Sequence, residues 1–172
     1  DEWDLYAAGY DADLNYVGLV TVTWSVSDLY DPIGTLSPVS GISTTLDATT
    51  PGTGRVVATY DEETSDTTGL ITVTVGGVEE VVVQTVSGDE AGDHSMTTDD
   101  EWDLYAVGYD AEGNEFPVEV DWSVSSGIGT LDTETGSSST TLDATTPGVG
   151  QVTASYSAEI SDTTGLITVT VG

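Results

Sequence analysis

The sequence has no cysteine, no lysine, one arginine (Arg55) and one histidine (His94). Each shortage removes a class of chemistry. Without cysteine there is no disulfide, no thiolate nucleophile and no Cys-type zinc site. A single histidine cannot form a metal-binding cluster, and it leaves a Ser-His-Asp arrangement only His94 to use. Without lysine there is no Gly-x-x-x-x-Gly-Lys phosphate loop, and no Gly-x-Ser-x-Gly elbow occurs. No apolar run reaches the roughly 18 residues that span a bilayer. No secretory leader opens the sequence, so a mature or excised chain is expected.

Positive charge is scarce and negative charge is abundant. The 172 residues carry 31 acids, for a formal net charge of −30. Such a surface repels phosphate backbones and anionic head groups, so neither nucleic acid nor membrane insertion is expected. The acids are spread over the whole chain and do not form a tail. Hydrophobic residues make up 37% of the sequence, enough to bury a core, so the acidity does not imply disorder.

What is present is a repeat. Asp1-Glu-Trp-Asp-Leu-Tyr-Ala-Ala-Gly-Tyr-Asp-Ala12 recurs, with one change, as Asp100 to Ala111. Trp24-Ser-Val-Ser27 recurs as Trp122 to Ser125, Ser43 to Gly52 as Ser139 to Gly148, and Ser65 to Gly76, unchanged, as Ser161 to Gly172. The spacing drifts through short insertions, one of them Asp28-Leu-Tyr-Asp-Pro32. Copies this close are expected to share one fold and similar roles.

Each copy reads as strands. Val20, Val22, Trp24 and Val26 alternate with polar residues, as do Val118, Val120, Trp122 and Val124. A period of two predicts strands with one buried face. Val56, Ala58 and Tyr60 form another such strand, and Ile71, Val73 and Val75 a last one, each with its copy. Leu5, Ala7 and Gly9 alternate in the same way. On that strand Trp3 would face inward, with Tyr6 and Tyr10 outward. Turn signals lie between the strands, among them Thr49-Thr-Pro-Gly52 and Asp66-Thr-Thr-Gly69. The prediction is all-β.

The order of these motifs resembles that of the bacterial and archaeal immunoglobulin-like repeats of the "Big" type. A Trp-Ser-Val-Ser strand is followed by Gly-Thr-Leu, by Ala-Thr-Thr-Pro-Gly-x-Gly-x-Val-x-Ala-x-Tyr, and by a closing Ile-Thr-Val-Thr-Val. The resemblance covers both copies. It implies tandem immunoglobulin-like sandwiches, with Trp24 and Trp122 packed between sheets. It also implies an extracellular setting, in surface layers, sheaths, filaments or adhesin stalks. The expected division is 1–76 and 77–172.

Residues 77–99 separate the two copies. Val78 to Val86 is a strand candidate, and Ser87 to Ser95 reads as a polar turn or loop. In the resembled repeat, such a strand and loop open the domain. The second copy is therefore expected to be complete and the first to lack its opening edge strand. Three explanations stand: a longer array cut out of phase, a strand supplied by a neighbouring subunit (the 78–86 strand or the Ile167–Val171 strand of another copy), or a domain that tolerates the loss. A continuous strand through Ile71–Val86, with Gly76-Gly77 as its soft joint, would fix the angle between domains.

Candidate sites are few. Asp11, Asp13 and Asn15, and likewise Asp110, Glu112 and Asn114, have the spacing that opens a calcium loop. Neither copy continues to the bidentate Glu of loop position 12, since Val22 and Asp121 stand there. A hairpin turn explains the same residues, because Asn and Gly tolerate positive φ. Trp3, Tyr6 and Tyr10, with Trp102, Tyr105 and Tyr109, offer either a sugar platform or cross-strand and subunit contacts. Ser137 to Thr141 is either an O-glycosylation run or plain strand sequence. Pairs of carboxylates at glycosidase spacing arise by chance among 31 acids. No catalytic, cofactor-binding or metal-ligating residue is assigned, and the chain is not expected to be an enzyme. No cofactor is required; diffuse stabilisation by cations, Ca²⁺ among them, is expected. The expected partners are other copies of the chain, in a homopolymer or a longer tandem array. The alternative function is an adhesin-type module that binds a glycan or receptor.

Overall fold

The computed structural model describes residues 1–28 and 32–172, so most of the inserted segment 28–32 lies outside the described residues. The described residues are all-β, with no helix. They divide into two compact units, Asp1–Val75 and Gly76–Gly172. Within the second unit the Gly76 N–H donates to Asp110 Oδ2 at 2.9 Å.

The first unit is built from β1 (Glu2–Tyr6), β2 (Ala8–Tyr10), β3 (Tyr16–Leu19), β4 (Val22–Asp28), β5 (Gly34–Ser37), β6 (Ser40–Gly41), β7 (Ser43–Ala48), β8 (Gly52–Thr59), β9 (Ser65–Thr67) and β10 (Ile71–Val73). One sheet runs β1-β7-β5, with the β2-β3 hairpin continuing from its first strand. The facing sheet runs β10-β8-β4-β6, with β9 also on β8. The inner faces meet at Val22, Trp24, Ile33, Leu46 and Val56. The indole of Trp24 is buried, and its Nε1–H donates to Gly41 O at 3.2 Å, so burial leaves no unpaired donor.

The second unit adds an opening segment. Its strands are β11 (Glu80–Thr85), β12 (His94–Thr97), β13 (Glu101–Tyr109), β14 (Glu115–Pro117), β15 (Asp121–Val124), β16 (Gly129–Leu131), β17 (Ser139–Ala144), β18 (Gly148–Gly150), β19 (Val152–Ser155), β20 (Ser161–Thr163) and β21 (Ile167–Thr170). One sheet runs β11-β13-β17-β16, with β14 on β13. The opposite layer holds β15-β19-β20 and β12-β21-β18. Trp122 repeats Trp24, with its Nε1–H on Ser137 O at 3.0 Å. Both units are immunoglobulin-like sandwiches, antiparallel apart from the parallel β12–β21 pair.

Three expectations need correction. The strand through Ile71–Val86 is broken: β10 ends at Val73 and β11 begins at Glu80. The Gly76 N–H binds the Asp110 carboxylate instead of a neighbouring strand, and Gly76-Gly77 has no side chains to pack. The closing strands are also shorter than predicted. Val75 and Val171 lie outside β10 and β21 and are exposed. Finally, the polar stretch after Val86 is only partly a loop. A turn at Val86–Ser87 closes with the Gly88 N–H donating to Thr85 O, then Ala91 enters the core, and β12 follows with Met96 buried.

Candidate functional site: an open sandwich edge

Repeated residues provide an internal comparison. Leu104, Ala154, Ile167 and Val169 are buried in the second unit. Their copies Leu5, Ala58, Ile71 and Val73 are only half-buried in the first. The side chains are identical, so the environment makes the difference. In the second unit β11 pairs with β13, setting Val83 opposite Ala106 and Thr85 opposite Leu104. Val81, Val83, Ala91 and Met96, all from the opening segment, complete the core. Residues 1–75 contain no counterpart of that segment among those described.

The consequence is a groove of 870 Å³ in the first unit. Leu5, Ala7, Gly9, Trp24, Ala58 and Asp66 are among its lining residues. Ala7 and Gly9 are the copies of Ala106 and Gly108, which face Val83 and Val81 across the β11–β13 ladder. Residues 101–109 form one continuous strand, whereas their copies break into β1 and β2 at Ala7. Among the described residues no strand pairs with the far edge of β10, where its copy β21 carries β12.

One polar group marks the seat. Asp162 Oδ2 accepts the Val83 N–H at 2.7 Å, fixing the register of β11 against the opposite layer. Its copy Asp66 lines the groove, and its Oδ1 accepts the N–H of its own neighbour Thr67 at 2.9 Å. Sequence reasoning missed this pair, because Ser-Asp-Thr-Thr-Gly reads as a turn in both copies.

The aromatic candidates fall around the same edge. Trp102 stacks on His94, with centroids 4.2 Å apart and planes at 18°. Trp3, without such a cover, is 49% exposed although it lies on the inner-facing register. The Tyr109 hydroxyl accepts a hydrogen bond from Gln84 Nε2 at 3.1 Å and donates to Glu115 at 3.2 Å. Burial and the Glu115 charge push its pKa up. Its copy Tyr10 is exposed and meets Tyr16 edge-on at 5.9 Å. Tyr6 and Tyr10 face outward, as the alternation predicts.

The acidic loops have turn geometry. Asp11 Oδ1 accepts the N–H groups of Asp13 and Asn15 at 3.0 and 2.9 Å, and Asn15 Nδ2 reaches both of its oxygens. Asp110 does the same with Glu112 and Asn114. Gly113 takes φ +80° in the second loop, while Leu14 is held at φ +66° in the first. Nitrogen donors surround these carboxylates, and among the described residues no set of three Asp, Glu or His groups gathers as metal ligands. Of the Ser137–Thr141 run, Thr140 is buried and Thr141 Oγ1 donates to Asp103 at 2.8 Å, as in a packed strand.

The N–H of Gly76, followed by the Asn114 side chain, holds the pKa of Asp110 down at about 2. The backbone N–H groups of Thr97 and Thr141 similarly lower Asp100 and Asp132. An unfolded aspartate titrates near ~3.9. The stabilisation from the bonds to Asp110 is therefore complete above that value and lost as pH falls toward about 2. Melting curves from pH 5 to pH 2 should show the second unit losing stability across this window, with a smaller loss in Asp110→Asn. A pH-independent melting point in the parent protein would contradict the assignment.

No family model matches the chain, and no curated protein matches it. Solved structures do. Domains 4 and 5 of the S-layer protein SbsC are similar over 96% of this chain and 90% of theirs, at 19% identity and TM-score 0.44. The D0-D1 domains of intimin are similar over 87% and 80%, at 16% identity and TM-score 0.35. The D00-D0 domains of intimin are similar over 99% and 92%, at 13% identity and TM-score 0.43.

Proposed function

We propose that this chain is a structural, non-enzymatic module of an extracellular array: a surface layer, sheath, filament or adhesin stalk. In its finer form, the reading has repeats joined by strands that pass from one to another. One observation carries it: near-duplicate sandwiches, one closed by its opening strand and one open at the same edge. A recognition tip is usually unique, whereas a spacer is repeated. An open edge is a pairing surface that isolated domains avoid. The net charge of −30 makes neighbouring modules repel, so diffuse cations, Ca²⁺ among them, stabilise the packed array. At 1 M salt the Debye length falls to about 3 Å, which screens this repulsion.

Electron microscopy of the purified chain, moved from low salt into molar NaCl with and without CaCl₂, tests the reading. Filaments or sheets built by cation-screened packing of whole chains side by side, and a melting point that rises with salt, are the expected results. Discrete particles under every condition that bind a glycan array would establish the adhesin alternative instead.

A further inference from the structure

We propose that the groove of the first unit is a strand-binding site whose occupant is the opening segment of a further repeat of this kind. The segment would have the pattern of Val78–Thr97 and come from outside residues 1–172. The proposal rests on the reading that strands pass between repeats, and it names the site and the chemistry of the strand.

The second unit shows what such a site holds. Glu80–Thr85 lies antiparallel on β13, and its inward residues Val81 and Val83 are fully buried. The groove of the first unit retains the same wall: Leu5, Ala7 and Gly9 on one sheet, Trp24 and Ala58 on the other. Asp66 occupies the place of Asp162, the carboxylate that receives a backbone N–H of the bound strand. An extended segment with branched apolar residues two apart meets all three requirements. It continues the sheet at the free edge of β1–β2, places two side chains in the groove, and offers an N–H to Asp66.

A second copy of this chain is the poorer occupant. Each copy has two seats and one segment with the full pattern of Val78–Thr97, and that segment is already built into its own second unit. Exchange between copies would fill one groove by opening another. Charge sets the conditions. The segment contains Glu79, Glu80, Asp89, Glu90 and Asp93, so binding to an acidic module requires screening salt.

The test uses the full 172-residue chain and a fluorescein-labelled synthetic peptide with the sequence of residues 78–97. Anisotropy in 1 M NaCl should show saturable one-to-one binding. Binding should weaken at least about tenfold for a peptide carrying Val83→Asp, and at least about tenfold for the Asp66→Ala chain, which loses a hydrogen bond to a charged group. Hydrogen exchange should show new protection at Leu5–Tyr10. Absence of binding, binding indifferent to both substitutions, or protection gained only at 104–109 would each overturn the proposal. So would a concentration-dependent dimer that protects Leu5–Tyr10 without peptide, since a second copy would then be the occupant. Arrays that form while the peptide fails to bind would reject this site and leave the structural role standing.

Discussion

Leu104→Ala should destabilise the second unit by about 2–5 kcal/mol, the usual range for truncating a buried leucine. Leu5→Ala, the same change at the same position of the repeat, should cost the first unit less than half as much. Leu104 is fully enclosed, with β11 packed beside it. Leu5 lines the open groove and is only half-buried, so its removal gives up less apolar contact and leaves no sealed cavity. Because a two-unit chain need not unfold in one step, the two costs should be read from denaturant-dependent hydrogen exchange resolved by peptide. Equal costs would mean that the first unit is closed in solution by something the isolated chain already carries. With the strand peptide bound, the Leu5→Ala cost should rise toward that of Leu104→Ala.

The repeat makes plain which features could be read from the sequence. The alternation at Val20–Val26 and Val118–Val124 located the strands of Trp24 and Trp122, because a half-buried strand shows its two faces in its own residues. The turns at Asp11 and Asp110 were legible for a similar reason, since an Asx turn binds within four residues. β12 was not legible. It pairs in parallel with β21, more than 70 residues away in the chain, and only Met96 of its four residues is buried. The exposed Val75 and Val171 show the converse, alternation that continues past the end of pairing. The Asp162 contact was beyond sequence reasoning altogether. Ser161-Asp-Thr-Thr-Gly165 and Ser65-Asp-Thr-Thr-Gly69 are identical, yet only Asp162 receives an N–H from β11. That difference lies in what packs against the residue, and local sequence does not encode it.

Val83→Asp should convert the second unit into the state of the first. Val83 is fully buried, and its backbone N–H is bound to Asp162 Oδ2 at 2.7 Å. An aspartate there would place a carboxylate in the core beside an existing one, with no cation to pair it. Burying an unpaired charge costs more than a single strand contributes, so β11 should leave its seat rather than hold it. The expected loss exceeds about 4 kcal/mol for the second unit, in the range reserved for such defects. Residues 104–109 should then exchange as fast as Leu5–Tyr10, while exchange in the first unit stays unchanged. Val83→Ala separates charge from packing: it removes only methyl groups, keeps the N–H bond to Asp162, and should leave β11 in place. The wild-type 78–97 peptide should restore protection at 104–109 in the Val83→Asp chain, because the vacated seat is the one it fits. If 104–109 stay protected in Val83→Asp without peptide, β11 is not what closes the second unit, and the comparison between the two units fails with it.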